Sequence, residues 1–444
     1  TARTDLPARR LWTVLTALPL VIPSYIGAYL LVSALGPRGE LQGVLSVFGI
    51  EELPSIYGFG GAWLVLTLFT YPLVLLPVRA ALTRMDPALE DAARGMGRSG
   101  WEVARTVIAP QLIPAAGAGA LLAALYALSD FGAVSILRFD SFTRVIYQSY
   151  RASFDRTGAA ALAALLVLVM VGLLLAETRI RRGRTYFRSA PGSARELPVV
   201  RLGRWRWPSL AFCAGVTLLA FGLPVAMLVY WSTQSVAGSV EWDVVMAAAG
   251  HSLLLATLAA VAATAASLPV AWLGARAPGR ASAIVDAATT TGYALPGIVV
   301  ALALVFFGIR VVPGLYQSLA MLVFAMVVLF LPLAVGAARA AFLQVSPRLE
   351  DAARGAGRSP IAVALTVTVP LARPGVLAGF ALVFLAAIKE LPAVILLSPI
   401  GYDTLPAVIW RETTRSFFES GAVPALILLA VSAPPLWLLL GRER

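Results

Sequence analysis

The sequence predicts an all-α polytopic membrane protein made of two homologous transmembrane modules in tandem, and three observations predict it. Of its 444 residues, 59% are hydrophobic and only 13% charged, whereas a soluble domain carries roughly a quarter charged. Long apolar runs rich in Leu, Ala and Val recur along the chain, and each approaches the roughly 20 residues a helix needs to cross a bilayer. A barrel would show shorter, alternating segments instead. Finally, the string from Glu90 to Ser99, EDAARGMGRS, returns 260 positions later as EDAARGAGRS from Glu350 to Ser359.

Ten spans follow from the apolar runs, at 11–35, 59–80, 111–129, 158–176, 208–232, 248–273, 284–308, 314–338, 372–397 and 421–440. Placing alternate loops on opposite sides gathers most of the 35 Lys and Arg on one side, while the 23 acidic residues divide almost evenly. That asymmetry is the positive-inside pattern, so both repeated loops, the connector and the C-terminal tail are expected on the cytoplasmic side. The net charge of +12 is therefore read as topology and contact with lipid headgroups, and nucleic acid is not an expected partner. Cys213 is the single cysteine, so an internal disulfide is excluded, and the single His251 is read as a packing or polar-face residue.

The halves match beyond the ten-residue string. Arg3-Thr-Asp-Leu-Pro7-Ala-Arg9 resembles Ala275-Arg-Ala-Pro278-Gly-Arg280, and Ile22-Pro23-Ser24 takes the place of Leu295-Pro296-Gly297. A repeat of this length is the mark of whole duplicated units. The expected organisation is a first module at 1–176, a cytoplasmic linker at 177–207 holding nine Arg, and a second module at 208–444. Four spans precede the linker and six follow it. The first module is thus expected to be N-terminally incomplete by two helices, roughly 65 to 75 residues by comparison with the second, with twelve spans in the complete protein.

Each repeated loop carries a helix-start signal. Asp86-Pro87 and Ser346-Pro347 set a capping side chain before a proline at the first helical position. Glu90, Asp91, Glu350 and Asp351 then fall near the positive end of the helix. Ala92, Ala93, Ala352 and Ala353 give a narrow face for close approach, Gly97 and Gly357 permit a sharp turn, and Pro110 and Pro370 favour a bend or helix start at the membrane boundary. A basic loop that only sets orientation would need Arg, but not the same Ala, Gly and Pro positions twice. Two docking sites for cytoplasmic partners, related by an approximate two-fold axis, are the expectation.

With these residues in place, the chain resembles the fused transmembrane subunit of an ATP-binding cassette importer. Such permeases carry a loop of the pattern E-A-A, three residues, G, nine residues, I-x-L-P. It is matched by Asp91-Ala92-Ala93, Gly97, Val107 and Ala109-Pro110, and again by Asp351-Ala352-Ala353, Gly357, Val367 and Val369-Pro370. Asp replaces the leading Glu in both copies, with Glu90 and Glu350 immediately before it, and Ala109 is the weakest match. The resemblance implies that each loop inserts a short helix into a nucleotide-binding ATPase subunit, two copies in all, and that ATP and Mg2+ sit on that partner. Arg94, Arg98, Arg354 and Arg358 would contribute to the dock. The chain has no G-x-x-x-x-G-K-[ST] loop, and its only lysine, Lys389, lies in an apolar run, so it is expected to bind no cofactor and hydrolyse no ATP itself.

Charges within apolar surroundings are the remaining candidates. Lys389-Glu390-Leu391-Pro392 has Ser129-Asp130-Phe131-Gly132 at the same 260-residue offset, so each module places a carboxylate at the far end of the helix that follows its loop. Asp130, Lys389 and Glu390 are candidates for the translocation path or gate, or equally for a buried network that fixes helix register. These strings, with Asp403-Thr404-Leu405, resemble the ferric-iron branch of fused permeases, and thiamine and polyamine importers are neighbouring branches. The family resemblance also implies a periplasmic binding protein that delivers the substrate. Tyr25, Tyr29 and Tyr293 could line a polar path beside the carboxylates, yet one Cys and one His make no convincing metal cage. An ion-coupled secondary transporter is the alternative of another class, although its repeats are commonly inverted, and these return both loops to one side.

Overall fold

The computed structural model describes residues 1–444 except 38, 47–48, 50–52, 84, 182–198, 235–240, 278, 293–294 and 441–444. Most of the connector and Tyr293 therefore lie outside the described residues. Within them the chain is helical, and the one β-type pairing is an isolated parallel bridge between Thr4 and Val200.

Among the described residues, eight helices are long and apolar enough to cross a membrane: Phe59–Thr83, Gly100–Ser129, Arg156–Ala176, Gly203–Gln234, Trp242–Arg276, Leu319–Gln344, Pro360–Ala387 and Phe418–Pro435. Each corresponds to one expected run. The other two expected runs are broken. The run at 11–35 is a pair of helical pieces, Arg9–Val21 and Ser24–Gly43, bent by 96°. The run at 284–308 is divided into Arg280–Gly292 and Gly297–Arg310. The two breaks share a cause. Pro23 has ψ 141 and Pro296 has ψ 140, extended values at which each proline precedes a new helix. The expected run at 372–397 also stops early, at Ala387, and a separate short helix begins at Pro392.

Two compact units account for the chain, one of Thr1–Arg144 with Leu168–Val229, the other of Val145–Val167 with Tyr230–Arg444. In the first unit, residues 24 to 34 of helix Ser24–Leu35 are all buried, packed against Phe59–Thr83 and the short helix Gly132–Ile136. Gly27 is required there, because a Cβ would fall 2.1 Å from the Phe69 ring. In the second unit, helix Trp242–Arg276 buries Ala248, Ala256, Ala259, Ala263 and Ala271 along one face. Its neighbours are Leu319–Gln344 and Val369–Ala387, and Gly379 lies against Ala334 and Ala337. Small residues let helix backbones approach closely, the usual solution where lipid removes the hydrophobic drive for association.

Candidate functional site: the repeated loops and the span-end carboxylates

The first loop forms helix Pro87–Gly95, capped by Asp86, whose carboxylate accepts from the Ala88 N–H at 2.9 Å. The second forms Pro347–Gly355, but Ser346 makes no side-chain cap, contrary to the sequence expectation. That helix starts on backbone geometry, with the Leu349 N–H on the Ser346 carbonyl at 3.1 Å, and on Pro347. Both helices end identically. The N–H of Arg98 bonds the carbonyl of Ala93 at 3.2 Å, and that of Gly97 bonds Arg94 at 2.9 Å; Arg358 to Ala353 (3.3 Å) and Gly357 to Arg354 (2.9 Å) repeat them. This is the Schellman arrangement, which needs a left-handed residue after the cap. Gly97 and Gly357 supply it, with φ 84 and φ 81.

The paired alanines separate by role. Ala93 is buried and Ala353 half-buried against the chain's own helices, while Ala92 and Ala352 face outward with Asp91 and Asp351. Around them stand exposed apolar side chains, Leu89, Met96 and Trp101 on the first loop and Leu349 and Ile361 on the second. Arg98 and Arg358 turn back to donate to Thr106 Oγ1 (2.9 Å) and Thr366 Oγ1 (2.8 Å), bracing the turn on the following helix. Arg354 lies 3.6 Å from Asp351 and 3.9 Å from Glu350 within its own helix. Arg94 is exposed.

Glu90 and Glu350 stand in the first turns of their helices, where the sequence placed them, and their side chains are buried. They are 1% and 3% exposed, and each is held by an arginine distant in sequence. Arg3 grips Glu90 with its two terminal guanidinium nitrogens, Nη1 on Oε1 at 2.5 Å and Nη2 on Oε2 at 2.9 Å. Arg276 Nε donates to Glu350 Oε1 at 2.9 Å, and its Nη2 donates to the carbonyls of Phe342 (2.9 Å) and Val345 (2.8 Å) at the end of helix Leu319–Gln344. Thr368 Oγ1 adds a bond to Glu350 at 2.8 Å. A charge pair taken out of water depends on such hydrogen bonds, and losing one partner typically costs about 3–5 kcal/mol. Sequence reading missed these pairs, although its match of Arg3–Arg9 with Ala275–Arg280 had both arginines in view.

Beyond the turn, Pro110 and Pro370 stand in the first turns of helices Ala109–Ser129 and Val369–Ala387, as expected, and each of these helices continues a helical course that begins earlier. Helix Gly100–Val103 runs into a π turn, Ala104–Ile108, closed by the Ala109 N–H on the Ala104 carbonyl, and on into Ala109–Ser129. Pro360–Val363, Ala364–Thr368 and Val369–Ala387 repeat that sequence of elements. A helical proline lacks an N–H and crowds the carbonyl four residues back; one wider turn just before it relieves the crowding.

At the other end of these helices stand Asp130 and Glu390, each in a break rather than inside a span. Asp130 is buried; it accepts from the Ser24 hydroxyl and from the backbone N–H groups of Ala133 (2.9 Å) and Val134 (3.3 Å). Glu390 accepts from the Ala393 N–H at 3.3 Å and lies against Gly297, where a Cβ would be 2.3 Å from Oε1. The longer carboxylate thus faces the residue without a side chain, and the shorter one faces serine. Lys389 is half-buried beside Glu390 in the same break. Tyr29 is fully buried in the first unit and Tyr25 nearly so. His251 has a packing role: its ring stacks on Tyr402 at 4.1 Å, and Nδ1 donates to the Asp403 carbonyl at 2.9 Å.

Long apolar helices joined by exposed, identically turned polar loops define a polytopic membrane component with surfaces for water-soluble partners. Residues 2–183 and 267–440 match the family described as binding-protein-dependent transport system inner membrane component. The chain belongs to this family: it is an inner-membrane permease of a binding-protein-dependent transport system. It is 33% identical to the Fe(3+)-transport system permease protein FbpB 2 of Haemophilus influenzae over 429 residues, 96% of this chain and 81% of that one. A probable ABC transporter permease protein, y4fN, of Sinorhizobium fredii is 25% identical over 99% of this chain and 81% of its own length. The molybdenum transport system permease protein ModB of Escherichia coli is 32% identical over 192 residues, 41% of this chain and 82% of that one.

Proposed function

We propose that the chain is the channel-forming subunit of an ATP-driven importer that moves ferric iron, delivered by a periplasmic binding protein, into the cytoplasm by alternating access. In this reading it comprises two homologous modules in tandem, at 1–176 and 208–444, joined by a cytoplasmic linker. The reading counts ten spans, the eight long apolar helices together with the two broken runs. Two copies of an ATPase subunit, which bind ATP and Mg2+, dock on Asp91, Ala92 and Gly97 and on Asp351, Ala352 and Gly357. The observation that carries the reading is the shared construction of the two loops: the same Schellman turn, buried glutamate held by a distant arginine, and π turn, all in the same register. A loop that only oriented the chain would need none of these twice.

Iron is favoured as cargo by the near full-length likeness to an Fe(3+)-transport permease. The molybdenum relative aligns with less than half of the chain. Ferric iron is cargo here and not a resident cofactor, and Asp130, Lys389 and Glu390 belong to the path or its gate. The complex of this chain with its ATPase and binding protein, in proteoliposomes loaded with ATP, should take up radiolabelled ferric iron. Thiamine, putrescine, molybdate and sulfate are the controls, and uptake of one of these without iron uptake would overturn the cargo assignment.

A further inference from the structure

In each unit the loop helix and the span-end carboxylate are joined by two separate stretches of chain. The first is the helix that follows the loop, and it spans forty residues in both units, Glu90 to Asp130 and Glu350 to Glu390. The second begins at the arginine. Arg3 holds Glu90, and twenty-one residues later Ser24 holds Asp130. Arg276 holds Glu350, and twenty-one residues later Gly297 packs on Glu390. The helices that begin at these seats, Ser24–Leu35 and Gly297–Arg310, pack on the short helices that follow the carboxylates, Gly132–Ile136 and Pro392–Leu397.

We propose that Arg3 and Arg276 are positioning residues that close each unit into a four-cornered frame. Movement of a docked loop then reaches the Asp130 or Glu390 seat along the arginine-bearing segment as well as along the helix after the loop. Without the arginine, only the first connection, the helix after the loop, remains. The inference rests on the docking reading above.

The frames are anchored differently. Arg276 ties its loop helix to the end of helix Leu319–Gln344 through the Phe342 and Val345 carbonyls. Arg3 lies on a segment paired with the connector: its carbonyl accepts from the Val200 N–H (2.8 Å), the Asp5 N–H donates to Val200 (3.2 Å), and the Asp5 carboxylate accepts from the Leu202 N–H (2.8 Å). The connector residues 199–202 thus brace the first frame, and helix packing braces the second.

The test uses the whole complex in proteoliposomes and reads cargo moved per ATP hydrolysed, with ATPase co-purification read separately. Arg3→Gln and Arg276→Gln should keep the ATPase bound and lower the ratio roughly tenfold, an ordinary coupling free energy. Arg3→Lys and Arg276→Lys, which keep the charge but lose the planar fork, should fall between. The exchange Arg3→Glu with Glu90→Arg should recover much of the ratio. At the far corner, Asp130→Glu alone should lower the ratio, and adding Ser24→Gly, which recreates the second unit's seat, should restore it. A bound ATPase with an unchanged ratio in the Gln variants would overturn the frame alone. Loss of ATPase binding and ratio together, with recovery in neither exchange, would reduce the arginines to fold stabilisers and also overturn it. If no ATPase accompanies the unaltered chain, the docking reading itself is wrong.

Discussion

At Gly97 and Gly357 the main chain turns through φ 84 and φ 81, with no other atom within 4 Å of where a Cβ would stand. The demand at these positions is therefore conformational and not spatial. A β-branched residue there carries about 1–2 kcal/mol of backbone strain, so Gly97→Val and Gly357→Val should leave the bundle folded while tilting the loop helix. The measurable result is ATPase activity that persists with a sharp loss of cargo transport at normal expression. Gly297 is the opposite case. A Cβ there would stand 2.3 Å from Glu390 Oε1, so the carboxylate must move off the Ala393 N–H, and a lost hydrogen bond typically costs about 0.5–1.5 kcal/mol. A lowered thermal midpoint of the detergent-purified Gly297→Ala protein would show it, and an unchanged midpoint would contradict the tight seat. The glycines were legible in the sequence as turn signals, and the loop strings were legible as a repeat. The partners of Glu90 and Glu350 were not, because local periodicity carries no information about an arginine 87 or 74 residues away.

Among the elements, hydropathy located every long apolar helix but was blind to where the chain breaks. The runs at 11–35 and 284–308 stay apolar straight through Pro23 and Pro296, so composition alone reads each as one span. Pro23 and Pro296 stand at the two breaks, yet Pro72, Pro77 and Pro332 lie inside unbroken helices. What distinguishes Pro23 and Pro296 is the extended backbone they adopt before a buried seat, and that depends on tertiary contacts. Capping was half legible. Asp86 caps and Ser346 does not, and a good cap contributes about 1 kcal/mol. Ser346→Asp should therefore slow amide hydrogen exchange over Leu349–Ala352 towards the rates of the first loop. No change in those rates would show that backbone geometry already saturates that helix start.

For the molecule as a whole, what the bundle does was easier to read than what it carries. The family is fixed by long stretches of both halves, and its loops were recognisable because a docking surface is local in sequence. Cargo is different: a path assembled from several helices leaves no motif. Asp130, Lys389 and Glu390 were picked out only because charge is rare in apolar runs. An exposed surface of Leu89, Ala92, Met96 and Trp101 predicts that Ala92→Arg, placed at its centre, lowers ATPase co-purification without changing membrane insertion. Retention of the ATPase by that variant would move the dock elsewhere.

The π turns at Ala104–Ile108 and Ala364–Thr368 set the phase of everything before them. Each holds one residue more than an α-helical turn, and a residue corresponds to about 100° of rotation about a helix axis. Deleting a single residue from either turn would leave composition, hydropathy and length almost untouched. It would nevertheless swing that loop about a quarter-turn around its own span, carrying Glu90 or Glu350 away from its arginine. The register between the membrane and the loops is thus kept by a spare residue in each half, and its loss would produce a protein that inserts normally and points its loops the wrong way.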